Sequence, residues 1–249
     1  MLPTRYKLFL LMVVLVLNSG CIRFAKYKSY KGTDTGSYSR STHHRVKAGE
    51  TLYSIAFQYG RDPKDVARWN SISKPYTIYP RQKLRVIPVR GDAKKKIKRV
   101  KTASSSSWTR KSAVTKAPAP DKYPSKLKWS WPTKGKVVST FLLSDPGRRG
   151  IDIKGKKGQP IMAAAAGRVV YSGSGLRGYG HLIILKHNER YFSAYAHTED
   201  VVVKEKEKVK LGQRIADMSN TNSNKAKLHF EIRRDGKPVN PLGYLPERR

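Results

Sequence analysis

Apolar and polar residues are spaced in five different ways along the 249-residue chain, and each spacing predicts a different kind of segment. Leu8 to Leu17 is an unbroken apolar run of ten residues behind Arg5 and Lys7. A helix crossing a bilayer takes about 20 residues, so this charged start and short apolar stretch predict a secretory signal over residues 1–20. From Arg23 to His43 the chain is rich in Ser, Thr, Gly, Tyr and Lys with no apolar period, which predicts a flexible tether over 21–43. Residues 44–89 carry helical spacing instead. Val46 to Leu52 predicts a short strand and turn; Leu52, Ile55, Ala56 and Tyr59 then recur on one helical face until Gly60 stops them. Asp62-Pro63 supplies an N-cap and a proline at the first helical position for a second helix through Val66, Ala67 and Trp69, and Lys83 to Ile87 predicts a closing strand. His43 and His44 stand ahead of this unit as solvated residues.

Residues 90–127 lose the apolar pattern, with twelve basic residues against two acidic ones and a serine tract, and predict a basic disordered linker. Beyond it, 128–249 is a succession of short apolar runs between Gly- and Asn-containing turns. The predicted strands are 137–141, 161–164, 168–172, 181–186, 191–196 and 228–233, with no long amphipathic helix. About 120 residues suffice for one core. The fold class is therefore multidomain: a small α+β (βααβ) unit followed by a mainly antiparallel β domain.

Charge and cysteine usage narrow the function classes. A net charge of +35 first suggests nucleic acid, but the export signal and the lack of a helix-turn-helix or RNP-type motif exclude that partner. Adhesion to anionic wall or lipid groups fits better. Cys21 is the only cysteine, so no internal disulfide forms. It closes the stretch Leu17-Asn18-Ser19-Gly20-Cys21, which resembles a lipobox with Asn18 at the position usually held by leucine. That resemblance implies lipidation at Cys21. Ile22, in place of an aspartate, implies the outer membrane, facing the periplasm.

Candidate chemistry gathers between Gly147 and Ile232. Asp152, His197 and His229 sit among glycine turns and apolar runs, the outline of a metal site on a β-scaffold. The frame Arg148-Arg149-Gly150-Ile151-Asp152, the sequence Tyr195-Ala196-His197 and the frame Lys227-Leu228-His229-Phe230-Glu231 resemble the lysostaphin/LytM type of zinc metallo-endopeptidase domain. In that family a histidine ligand stands where this chain has Arg148, and a catalytic histidine stands where it has Lys227. Arginine has no lone pair to donate and stays charged, so the expectation is a degenerate domain with no metal, no cofactor and no catalytic residue. The two cations would pair with Asp152 or bind an anion. His181 is a remote substitute ligand, and His187 is expected to be structural.

The 44–89 unit, with Val-Lys-Ala-Gly-Glu-Thr-Leu-Tyr-Ser-Ile-Ala and Arg-Trp-Asn, resembles the LysM module, which binds the glycan of peptidoglycan. By that resemblance Gly49, Glu50, Thr51, Ile78 and Tyr79 are candidate glycan contacts, while Leu52, Ile55, Val66, Trp69 and Leu84 belong to its core. Within the peptidase family the sequence resembles the lipoprotein branch that activates murein hydrolases. The resemblance implies a non-enzymatic activator of a periplasmic N-acetylmuramoyl-L-alanine amidase in daughter-cell separation. Arg148, Asp152, His197, Lys227 and His229 would line its groove, with peptidoglycan, the amidase and the outer membrane as partners. The alternatives are an active zinc endopeptidase using Asp152, His197 and His229, and a purely structural wall anchor.

Overall fold

A computed structural model describes residues 41–88, 127–220 and 225–248, all of which fall in one compact unit. The secretory signal, Cys21, most of the tether, the basic linker and loop residues 221–224 lie outside the described residues. Among the described residues no helix is long and apolar enough to cross a membrane.

The first module is strand β1 (His43–Arg45), helix α1 (Leu52–Gln58), helix α2 (Pro63–Trp69) and strand β2 (Lys83–Arg85), with β1 antiparallel to β2. Both helix starts follow from the sequence. Thr51 caps α1 by accepting from the Ser54 N–H while the Ser54 hydroxyl accepts from the Thr51 N–H, a reciprocal box. Asp62 caps α2, with Pro63 opening it. Leu52, Ile55, Val66 and Leu84 are buried in one cluster against which Trp69 packs, as the periodicity predicts.

Two expectations are corrected here. The first strand lies at 43–45, earlier than the predicted stretch starting at Val46, because it is His44 that pairs with Leu84. His44 is not solvated. It is buried, with its ring hydrogen-bonded to the Tyr59 hydroxyl at 3.1 Å and to Glu50 at 2.7 Å.

The second module is built on a large, mostly antiparallel sheet. Its strands are β3 (Val137–Ser139), β4 (Ile151–Lys154), β6 (Gly167–Gly173), β7 (Leu182–Lys186), β8 (Tyr191–Ala196), β10 (Lys208–Val209), β12 (Lys227–Arg234) and β13 (Lys237–Val239). They run in the order β10-β6-β7-β8-β12-β4-β3, with β13 hairpinned onto β12. Strands β5 (Pro160–Met162), β11 (Arg214–Met218) and β9 (Thr198–Glu199) form a second, three-stranded sheet. The core lies on one face of the large sheet, where Ile151, Ile153, Ile183, Leu185, Leu228, Phe230 and Ile232 meet Ile161, Ile215 and Met218. This is the period-2 pattern of strands with one buried face.

His187 is structural, as expected. It is fully buried, and burial holds it neutral with a pKa near 4. Its Nδ1–H donates to the Ala166 carbonyl, so Nε2 accepts from the Ser193 hydroxyl at 2.7 Å. Ser193 in turn accepts from Tyr195, whose oxygen accepts from the Ala164 N–H. Every polar atom of this buried relay is thereby satisfied.

Gly150 enters β4 directly against β12. A Cβ there would lie 2.2 Å from the Phe230 carbonyl oxygen, and that atom belongs to backbone that cannot yield. Gly150→Ala is expected to lower stability by about 1–3 kcal/mol, read as a lower urea midpoint at unchanged m-value.

Candidate functional site

Strand register brings the sequence-predicted residues together. In the antiparallel pairing of β12 with β4, His229 stands opposite Asp152; in the pairing with β8 it stands opposite Ala196, the residue before His197. Side chains directly opposite on one face are cross-strand neighbours. Asp152 and His229 are therefore cross-strand neighbours, and His197, one residue past Ala196, lies near enough for the charges of His229, Lys227 and Asp152 to act on it. His197 turns out of β8 with a left-handed φ of 61°, a sparsely populated conformation for a residue other than glycine.

What they build is a chain of ion pairs. Lys227 Nζ donates to Asp152 Oδ2 at 2.6 Å, and His229 Nδ1–H donates to Asp152 Oδ1 at 2.7 Å. His229 Nε2–H donates to Glu231 Oε1 at 3.3 Å. Glu231 also accepts from the Tyr179 hydroxyl at 2.9 Å and from Arg233 Nε at 2.8 Å. Arg233 Nη1 then reaches the Phe57 carbonyl at 2.6 Å. The alternation of β12 explains the alignment: Leu228, Phe230 and Ile232 enter the core, and Lys227, His229, Glu231 and Arg233 share the other face. Signs alternate along it as plus, minus, plus, minus, plus, from Lys227 through Asp152, His229 and Glu231 to Arg233.

The protonation states follow from this pairing. Burial would discharge His229, but hydrogen bonds and charge from Asp152 and Glu231 outweigh it and raise its pKa to about 9. Burial also opposes ionisation of Asp152, yet His229 and Lys227 hold it below the usual carboxylate value. Glu231 is drawn down to about 2 against its burial, chiefly by Arg233 and His229. His197 goes the other way, lowered to about 4 by burial and then by the cations His229 and Lys227.

These side chains do not fit a zinc ion. His229 is bonded through both ring nitrogens to carboxylates, whose charge favours its protonated form, and Asp152 is engaged by two cations. Arg148 turns to Thr140, donating to its carbonyl and hydroxyl at 3.0 Å each. Of the two cations expected to pair with Asp152, Lys227 does so. His181 is bonded to the Thr198 hydroxyl at 3.1 Å, and burial lowers its pKa. Glu231 and Arg233 are the site residues that sequence reasoning missed. The signal was present in the spacing His229-x-Glu231-x-Arg233, which sets three ionisable groups on one strand face.

The LysM candidates divide. Gly49 is exposed at a left-handed φ of 77°, and Tyr79 is 68% exposed. Ile78 packs against the module core. Glu50 accepts from His44 and from the Lys47 N–H; together these pull its pKa down against the upward effect of burial. Thr51 caps α1, and its hydroxyl donates to the Val170 carbonyl in the second module at 3.2 Å.

Two measurements check this electrostatic pattern. The His229 ring is expected to titrate near pH 9 and the His197 ring near pH 4 in ring-nitrogen NMR spectra. His229 is raised above its unfolded value of about 6.5, so its stabilising contribution is complete below about pH 6.5 and disappears as pH rises through about 9. His229→Ala, which leaves Asp152 and Glu231 buried with one cation fewer, is expected to cost about 3–5 kcal/mol in denaturant unfolding at pH 7.

Comparison with known proteins identifies both modules. Residues 146–241 match peptidase family M23, and residues 44–86 match the LysM domain. The Escherichia coli (strain K12) protein named uncharacterized lipoprotein YgeR is 43% identical over 237 residues, covering 94% of this chain and 92% of that protein. The murein hydrolase activator NlpD of the same strain is 39% identical over 282 residues, covering 91% of this chain and 73% of that protein. The lipoprotein NlpD/LppB homolog of Pseudomonas aeruginosa is 41% identical over 239 residues, covering 82% of this chain and 76% of that protein. With two matched domains in the same order and identity sustained along nearly all of its length, the chain belongs to the NlpD family of lipoproteins, in which a LysM domain is joined to a domain of peptidase family M23.

Proposed function

We propose that this chain is a non-enzymatic activator of murein hydrolysis whose partner is a periplasmic N-acetylmuramoyl-L-alanine amidase acting in daughter-cell separation. It is an outer-membrane lipoprotein facing the periplasm, anchored through Cys21 and bound to peptidoglycan through its LysM domain. The observation that carries this reading is the pairing of Lys227 and His229 with Asp152, three residues at positions where the resemblance implies ligands and a proton acceptor. A family member named as a murein hydrolase activator supports the same conclusion.

In this mechanism the M23 domain contributes a shaped and charged groove and no bond-breaking step. Arg148 is half-exposed, and its carbonyl accepts from the N–H of Leu142, whose side chain, like that of Leu143, is exposed. Lys227 and His197 are partly exposed, and Asp152 and His229 lie beneath them. A partner that binds this groove better in its active than in its autoinhibited conformation is shifted towards activity by that difference in affinity alone. The active-endopeptidase reading needs neutral His229 and an accessible Asp152, and the pairing of both residues opposes it.

The test is dye release from labelled peptidoglycan sacculi by the mature chain, alone with zinc and then with the organism's periplasmic amidase. The expected result is no release alone and stimulated release with the amidase. Arg148→Glu is expected to reduce the stimulation about tenfold or more, the equivalent of about 1.4 kcal/mol of partner affinity. Zinc-dependent release by the chain alone, abolished by Asp152→Ala, would restore the peptidase reading.

A further inference from the structure

The outer face of the large sheet is covered by the chain's own LysM module. A charged strand face would ordinarily be solvated in an antiparallel sheet of this kind. Here Glu231 is 0% exposed and Arg233 2%. Their cover is α1. Phe57 lies against the sheet in a cluster with Tyr171, Leu182, Ile184 and Phe192, separate from the LysM core cluster. The Arg233 guanidinium carbon sits 3.3 Å from the centroid of the Phe57 ring while the same side chain donates to the Phe57 carbonyl. Gly236, in the β12–β13 turn, is buried so close to the LysM module that a Cβ there would fall 2.2 Å from the carbonyl carbon of Arg61.

The same contact engages the LysM edge to which the family resemblance assigns glycan. Thr51 spends its hydroxyl proton on Val170, and Tyr53, two residues on, packs against both Tyr76 and Phe192. One wall of the expected glycan groove therefore faces the sheet. Beside this apolar contact the seam carries exposed ion pairs that are readily given up. Glu189 of the second module takes Lys64 at 3.3 Å and Lys74 at 3.4 Å, and its carboxylate is 45% exposed. Exposed pairs of this kind are weak and salt-sensitive. The buried Glu231–Arg233 pair regains hydration when uncovered, which offsets part of the cost of separation.

We propose that the LysM module is a removable cover on the M23 sheet, and that an N-acetylhexosamine glycan strand and the sheet compete for its Thr51 edge. Glycan capture then lifts the cover and bares the Glu231–Arg233 end of the groove to the protein partner. This rests on the reading of LysM as the glycan-binding domain. Residues 90–127 separate the modules in the chain, ample length for both arrangements.

The test uses the mature chain carrying Cys21→Ser, with spin labels on Arg68→Cys and Leu211→Cys, two exposed positions, one in each module. The probe is an N-acetylglucosamine hexamer. Interdomain distance by pulsed electron resonance is expected to be narrow in the free chain and long and broad with saturating hexamer. Gly236→Val, which collides with Arg61, and Phe57→Ala, which removes the ring without entering the LysM core, are expected to be broad without hexamer. Each should bind hexamer at least about fivefold more tightly, because the competent state no longer has to be released from the closed one. A narrow distance that survives bound hexamer, or wild-type hexamer affinity in both variants, would overturn the proposal. If no chain binds hexamer, the glycan reading fails and the competition falls with it, while the distances in the two variants still report whether the cover can lift.

Discussion

Pairing of buried charge along one face of β12 is the constraint on which the rest of the site depends. Lys227, His229, Glu231 and Arg233 project from the side opposite the apolar core, and Asp152 meets them from β4. An unpaired ion under that cover would cost several kcal/mol, and each of these ions is instead bonded to a neighbour of opposite sign. The arrangement is stable only as a whole. Removing His229 or Arg233 leaves Glu231 charged in a place where water does not reach it.

That interdependence gives single residues of the site a long reach. Lysine at 227 places a cation on Asp152, and arginine at 148 removes a lone pair and turns towards Thr140. His229 lies between Asp152 and Glu231, and the two carboxylates raise its pKa to about 9. The strand register sets Asp152 against His229, and the side chains it brings together bond to one another. Arg233 extends the chain to Phe57, so the groove and the LysM cover share one hydrogen-bonded path.

Much of this was legible in the sequence, and what was not has a physical cause. Leu52, Ile55 and Val66 repeat at helical spacing and Leu228, Phe230 and Ile232 at strand spacing, so the order of modules and both cores could be read directly. Residue type alone disqualified Arg148 as a ligand. The spacing His229-x-Glu231-x-Arg233 put three ionisable groups on one strand face, but their burial could not be read, because it depends on a helix joined to Arg233 through Phe57, 176 residues earlier in the chain. Burial of His44 likewise required its pairing with Leu84 and its contact with Glu50. Strands of two residues, such as Thr198–Glu199 and Lys208–Val209, are too short for any period to show.

The most direct test of the central claim is a zinc titration of the mature chain at pH 7, followed by thermal unfolding and by metal content after gel filtration. A metal held at a hundredfold over its dissociation constant would add about 2.7 kcal/mol to stability. The expected result is an unchanged melting temperature and no zinc retained beyond that of the Asp152→Ala control. One zinc per chain, with a raised melting temperature that Asp152→Ala abolishes, would contradict it.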